Sequence, residues 1–192
     1  MHDLTRGILG VAAAALLVAC GDATRSTSPA TGDRALGART AAHVTDHLVS
    51  MKDACDPTTF DAALQDPSAC LRNGGVTFQE FVAQLQKHQQ AGAWHFAPPM
   101  LNVSEGSTLT AINRGGEVHT FTEVEHFGGG MVPLLNNLSG NPTPAPECLA
   151  LSPSDFVAPG GSFTLTESEA GVEHYQCCIH PWMRTTVRVR GS

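Results

Sequence analysis

The stretch Tyr175-Gln176-Cys177-Cys178-Ile179-His180-Pro181-Trp182-Met183 spaces a thiol, an imidazole and a thioether evenly, as C-x-x-H-x-x-M. These are soft or borderline donors. With a second imidazole they make a trigonal His₂Cys set and a weak axial Met, the combination that suits copper in electron-transfer sites. A strand ending at Cys177 delivers the first donor. The loop then turns back to offer His180 and Met183, Pro181 stiffens it, and the next strand leaves over residues 185–190.

The second imidazole has to come from elsewhere in the chain. His119 is the best placed, in Asn113-Arg114-Gly115-Gly116-Glu117-Val118-His119-Thr120-Phe121, after a strand and a Gly-rich turn. His126 is its main rival. His174 lies three residues before Cys177 on the same strand and so faces the other way. His95, between Trp94 and Phe96, reads as an edge or packing residue. His43 and His47 stand at i and i+4, but with no third donor nearby they read as a half-packed helix face.

Six cysteines are present, at 20, 55, 70, 148, 177 and 178. Arg6 precedes an apolar run over residues 8–19 that is too short to span a bilayer comfortably. The run ends in Leu17-Val18-Ala19-Cys20, which resembles a bacterial lipobox with Cys20 as the lipidated residue. An ordinary secretory signal is the alternative. Either export route takes the mature chain to a compartment where disulfides persist. Setting Cys20 aside leaves an odd number, so one cysteine has another role, and Cys177 is that one. Cys55 and Cys70 flank a short segment with Pro57 and Pro67 and read as a staple. Cys178 faces away from Cys177 along the strand and is free to pair with Cys148.

The supporting elements follow from periodicity. Residues 1–19 read as a signal peptide, 20–40 as a Ser/Thr/Gly-rich tether, and 41–91 as a short helical extension. Within that extension His43, Val44, His47, Leu48 and Met51 recur at helical spacing. Phe78, Phe81, Val82 and Leu85 follow i, i+3, i+4, i+7 behind Thr77. From residue 92 onward short alternating runs punctuated by Gly, Pro, Asn and Ser predict a mainly β domain, a sandwich. The Gly- and Pro-rich stretch from about 126 to 153 is long enough to need a function or a covalent tie.

At this point the residues resemble a known family, the cupredoxins. The C-x-x-H-x-x-M loop with Pro after the His is similar to the short copper loop of the amicyanin and plastocyanin-like members. Asn113, six residues before His119, matches their Asn-to-His spacing. The resemblance covers roughly residues 95–190. It implies a Greek-key β-sandwich, one copper ion on His119, Cys177, His180 and Met183, and blue-copper electron transfer rather than catalysis. Thr120 departs from the Asn that follows the ligand His in that family, which leaves the hydrogen bond between the two ligand loops open. Cys178, the Cys148 loop and residues 41–90 are additions.

Composition excludes other classes. The chain carries a formal charge of -7 with only Lys52 and Lys87 as lysines, so no basic stripe exists for nucleic acid. No H-x-H occurs, which rules out the extra coppers of a multicopper oxidase. Zinc is disfavoured because Met is a poor zinc ligand. A copper carrier or sensor without a redox partner remains the alternative to an electron shuttle. For the shuttle, His180 is expected to emerge through an apolar patch flanked by Pro181, Trp182 and the loop around Phe127 and Met131. There it would meet a redox protein while lipid at Cys20 holds the domain to a membrane.

Overall fold

The computed structural model describes residues 46–191. Its strands are β1 (Asp46–Lys52), β2 (His95–Ala97), β3 (Met100–Ser104), β4 (Thr108–Asn113), β5 (His119–Thr120), β6 (Thr122–Val124), β7 (Phe156–Val157), β8 (Ser162–Thr166), β9 (Gly171–Gln176) and β10 (Arg184–Arg190). The α-helices are α1 (Pro57–Leu64), α2 (Phe78–His88) and α3 (Pro133–Leu138). One sheet has the order β2-β1-β4-β8, the other β3-β10-β9-β6, and β5 pairs with β7 in a small third sheet. Both large sheets are mixed: β1 runs parallel to β4 and β3 parallel to β10, and their other pairings are antiparallel.

The apolar alternation read from residue 92 onward is the inner face of this sandwich. Leu109 and Ala111 on one sheet and Val103, Tyr175, Val187 and Val189 on the other are buried in one core, as the period of two requires. Phe121 stacks on Tyr175 with centroids 4.5 Å apart and rings 7° from parallel.

Residues 46–52 correct the helical reading of the extension: they form β1, an interior strand between β2 and β4. Val49 and Met51 are buried while Leu48 is exposed. The residues read as one helical stripe therefore alternate across a strand. An i, i+4 pair such as His47 and Met51 satisfies both periods, and pairing on both edges decides between them. His43 and Val44 lie outside the described residues, as do Cys20 and the expected signal peptide and tether.

The two helices after β1 form where local chemistry dictates. Asp56 caps α1 by accepting from the Thr59 N–H at 2.9 Å, with Pro57 in the first turn. Thr77 and Glu80 form a reciprocal capping box on α2, and Lys87 and His88 sit in its last turn. The expected face of α2 is the buried one: Phe81 and Leu85 face the core, with Phe78 and Val82 partly buried beside them. Phe60, Phe81 and Trp94 pack together, with Phe81 and Trp94 centroids 4.7 Å apart and Phe60 and Trp94 5.8 Å apart. Disulfides join Cys55 to Cys70 and Cys148 to Cys178, and Cys177 is the one free cysteine among the described residues. Among the described residues, no helix is long and apolar enough to cross a membrane.

Candidate metal centre

Cys177 follows β9 directly, and its loop returns to β10 within a few residues. Backbone hydrogen bonds close the loop on itself. The Cys177 N–H donates to the Met183 carbonyl at 3.0 Å, and the Met183 N–H donates to the His180 carbonyl at 2.9 Å. His119 opens β5, which its pairing with β7 fixes in place. Asn113 shapes the turn between: its Nδ2 donates to the carbonyls of Glu117 at 2.7 Å and Val157 at 2.8 Å, and its Oδ1 accepts from the Gly115 N–H.

The structure brings three of the four expected donors to one point. Donor atoms of His119, Cys177 and His180 lie within 4.8 Å of one another. The Nδ1 atoms of His119 and His180 are 3.8 Å and 3.9 Å from Cys177 Sγ. Met183 is fully buried in the same loop. The rivals for the second imidazole are elsewhere: His126 and His95 are exposed, and His174 packs edge-on against Phe127 with centroids 4.8 Å apart.

The Cys177 sulfur is solvated by the protein rather than by water. The N–H groups of Thr120 and His180 both donate to Sγ at 3.5 Å. Burial pushes the Cys177 thiol up, but hydrogen bonding and charge from His119 and His180 overcome this and hold it well below the usual thiol range. The thiolate is the ligand form. Thr120 also supplies the link between ligand loops that the sequence left open, because its Oγ1 accepts from the Cys178 N–H at 2.8 Å.

The sequence reading missed two carboxylates. Asp53, just past β1, lies 2.9 Å from His119 Nε2, with both side chains fully buried. Glu117 Oε2 is 3.7 Å from His180 Nε2 and accepts a hydrogen bond from Trp94 Nε1. Burial works against a charged His119, yet hydrogen bonds to Asp53 and Cys177 push its pKa up to about 9. For Asp53, burial alone would raise the carboxyl, and the hydrogen bonds from His119, Gly116 and Glu117 bring it below the usual range. Burial raises Glu117, opposed by His180 and Trp94. The one sequence signal for Asp53 is Gly115-Gly116: a Cβ at Gly115 would fall 1.8 Å from Asp53 Oδ2. Asp53, Cys55 and Glu117 also cluster, but Cys55 is committed to its disulfide and offers no thiolate.

The expected surface edge is absent. His180 is only 3% exposed, beneath Phe81 and Trp182 with centroids 6.3 Å and 5.4 Å away. The physical reason is α2, whose apolar face lies over the ligand loop. Above His180 and Glu117 an apolar cavity of about 270 Å³ remains, walled by Phe78, Phe81, Leu135 and Ile179, with Leu64 and Leu134 exposed at its lining.

In this mixed β-sandwich the free, buried Cys177 lies between two histidines in a group that could hold one metal ion. A purple cupredoxin from Nitrosopumilus maritimus is 17% identical over 76% of this chain and 100% of its own, with a TM-score of 0.43. A reduced Cu(I) amicyanin variant at pH 4 is 29% identical over 52% of this chain and 76% of its own, with a TM-score of 0.33. A second reduced amicyanin variant is 30% identical over 48% of this chain and 70% of its own, with a TM-score of 0.30. No protein-family model and no curated protein matches the chain. The chain belongs to the cupredoxins.

Proposed function

We propose that the protein is an electron carrier holding one copper ion on His119, Cys177, His180 and Met183. The observation that carries this reading is the pair of imidazole Nδ1 atoms, 3.8 Å and 3.9 Å from the one free thiol. Two imidazoles, a thiolate and a neighbouring thioether fit copper better than zinc or a hard cation. Copper bound there supplies a one-electron Cu(II)/Cu(I) couple.

The chain's own groups do the rest. His119 and His180 present Nδ1 toward the thiolate, two N–H groups stabilise the sulfur, and the complete burial of His119, Cys177 and Met183 excludes water. A donor set locked in a dry, packed loop changes little between oxidation states, and that favours fast electron exchange. The same burial speaks against the alternative of a copper carrier, since hand-off requires an incoming ligand to reach the metal. Both disulfides support an exported protein. Lipid at Cys20 and the tether over residues 20–40 would place it at a membrane surface, where its partners would be redox proteins.

An absorption and spin-resonance spectrum of the copper-loaded protein tests the reading. A strong visible thiolate-to-copper band with reversible one-electron cycling supports the shuttle. Rapid loss of copper to a chelator, without reversible cycling, would favour the carrier. Absence of the band would end both.

A further inference from the structure

Asp53 reaches the metal centre from the segment that precedes the ligand-bearing strands. Both of its carboxylate oxygens are fully engaged. Oδ1 accepts from the N–H groups of Gly116 at 2.8 Å and Cys55 at 3.3 Å. Oδ2 accepts from the Glu117 N–H at 3.0 Å and lies 2.9 Å from His119 Nε2. A carboxylate surrounded by N–H donors has only acceptor capacity left for the imidazole. His119 must therefore carry a proton on Nε2, which leaves Nδ1, on the Cys177 side, as the nitrogen that gives up its proton when a metal binds. The turn is built to admit this contact. At Gly115 a Cβ would overlap Asp53 Oδ2 at 1.8 Å and Cγ at 2.5 Å, and at Gly116 it would meet Cys55 Sγ at 2.6 Å.

We propose that Asp53 is a positioning residue for the metal centre, fixing the tautomer of His119 and biasing the bound ion toward its oxidised, more highly charged state. The proposal rests on the copper reading above. A buried carboxylate behind a ligating imidazole makes the nitrogen a stronger donor, and loss of such a partner typically costs 10–100-fold in metal affinity. A nearby negative charge also stabilises a dipositive ion more than a monopositive one. The segment that begins with β1 is thus part of the proposed metal centre, entering through one side chain just past that strand.

The test compares wild type, Asp53→Asn and Gly115→Ala as copper-loaded full-length proteins, reading the reduction potential and the separate Cu(II) and Cu(I) affinities. Asp53→Asn keeps the side chain's shape and removes its charge. It is expected to lower the ratio of Cu(II) to Cu(I) affinity about tenfold, which raises the potential by about 59 mV for a one-electron couple. Gly115→Ala keeps the charge but displaces it, and a shift in the same direction is expected. Ring-nitrogen NMR of the diamagnetic Cu(I) form reads the tautomer: wild type should show His119 protonated at Nε2. A purely structural Asp53 would lower the melting temperature and leave the potential unmoved. That result overturns the proposal while the copper reading stands; a wild-type His119 protonated at Nδ1 overturns both, because that nitrogen could then not be a ligand. A wild type without the thiolate-to-copper band overturns the copper reading and this proposal with it.

Discussion

Residues 177–183 and residues 46–91 both close on the metal centre, but by different physics. The loop brings its donors within one turn of chain and is held by its own backbone hydrogen bonds, Cys177 to Met183 and Met183 to His180. The N-terminal segment places no donor in the proposed set. It contributes a carboxylate at the end of β1 and an aromatic cover from α2, each held by contacts with distant residues. The difference separates ligation from environment. Donor identity is a local property of a short loop, whereas dryness, charge and access are set by whatever packs on that loop.

Substitutions can break this division or sharpen it, and the largest effect belongs to the loop. Cys177→Ser should abolish the visible charge-transfer band, because a hydroxyl is a harder and less covalent donor. Retained colour would assign the thiolate to another cysteine. In the segment, Phe81→Ala removes a buried ring at the centre of the Phe60, Trp94 and Trp182 contacts. It should cost about 3–5 kcal/mol in denaturant unfolding, with the band kept in native buffer and faster quenching by external reductants. Loss of the band itself would mean that the segment positions the donors as well as covering them.

Replacing Cys55 and Cys70 together by Ala should cost about 2–4 kcal/mol, again with the band retained. Thr77→Ala removes the α2 cap and should cost about 1 kcal/mol, measured by the unfolding midpoint. A control lies outside both regions. Burial, with Glu173 and Glu123 nearby, pushes Glu167 up to about 8, against a partly offsetting hydrogen bond from Tyr175. The folded state thus holds this proton more tightly than the unfolded chain does. Its contribution is fully present below about pH 4.5, near the unfolded value, and is lost as pH rises through 8. Glu167→Gln should flatten the stability–pH curve between those limits and leave the band unchanged. An unaltered curve would assign the dependence to other groups.

The same division governs what was legible in the sequence. His180 and the free Cys177 could be read because their spacing within the loop is itself the signal. The α2 cap was equally plain, since Thr77 and Glu80 are three residues apart. Cys148–Cys178 followed from strand alternation, and Cys55–Cys70 from the short Pro-containing segment that they flank. β1 was misread because its spacing fits two periods and the deciding partners, β2 and β4, lie far along the chain. Asp53 was missed because a carboxylate 66 residues from His119 forms no pattern with it, and Gly115-Gly116 marks a close approach without saying which residue makes it. The burial of His180 could not be foreseen, because it depends on where an otherwise well-read helix docks.

The parallel pairings have a kinetic consequence. β9 and β10 are antiparallel neighbours joined by the ligand loop, a short-range hairpin that forms on the microsecond scale. Asp46 opposite Thr108 and Met100 opposite Thr186 are long-range closures, and a parallel pair cannot be joined by a tight turn. Such contacts dominate the folding time of β-rich chains. Cys177, His180 and Met183 therefore come together early on the hairpin, while Asp53 arrives only when β1 docks beside β4. A refolding chain offered copper passes through a stage in which those loop groups are gathered and the carboxylate behind His119 is not. The visible band and the final potential should accordingly develop at different rates.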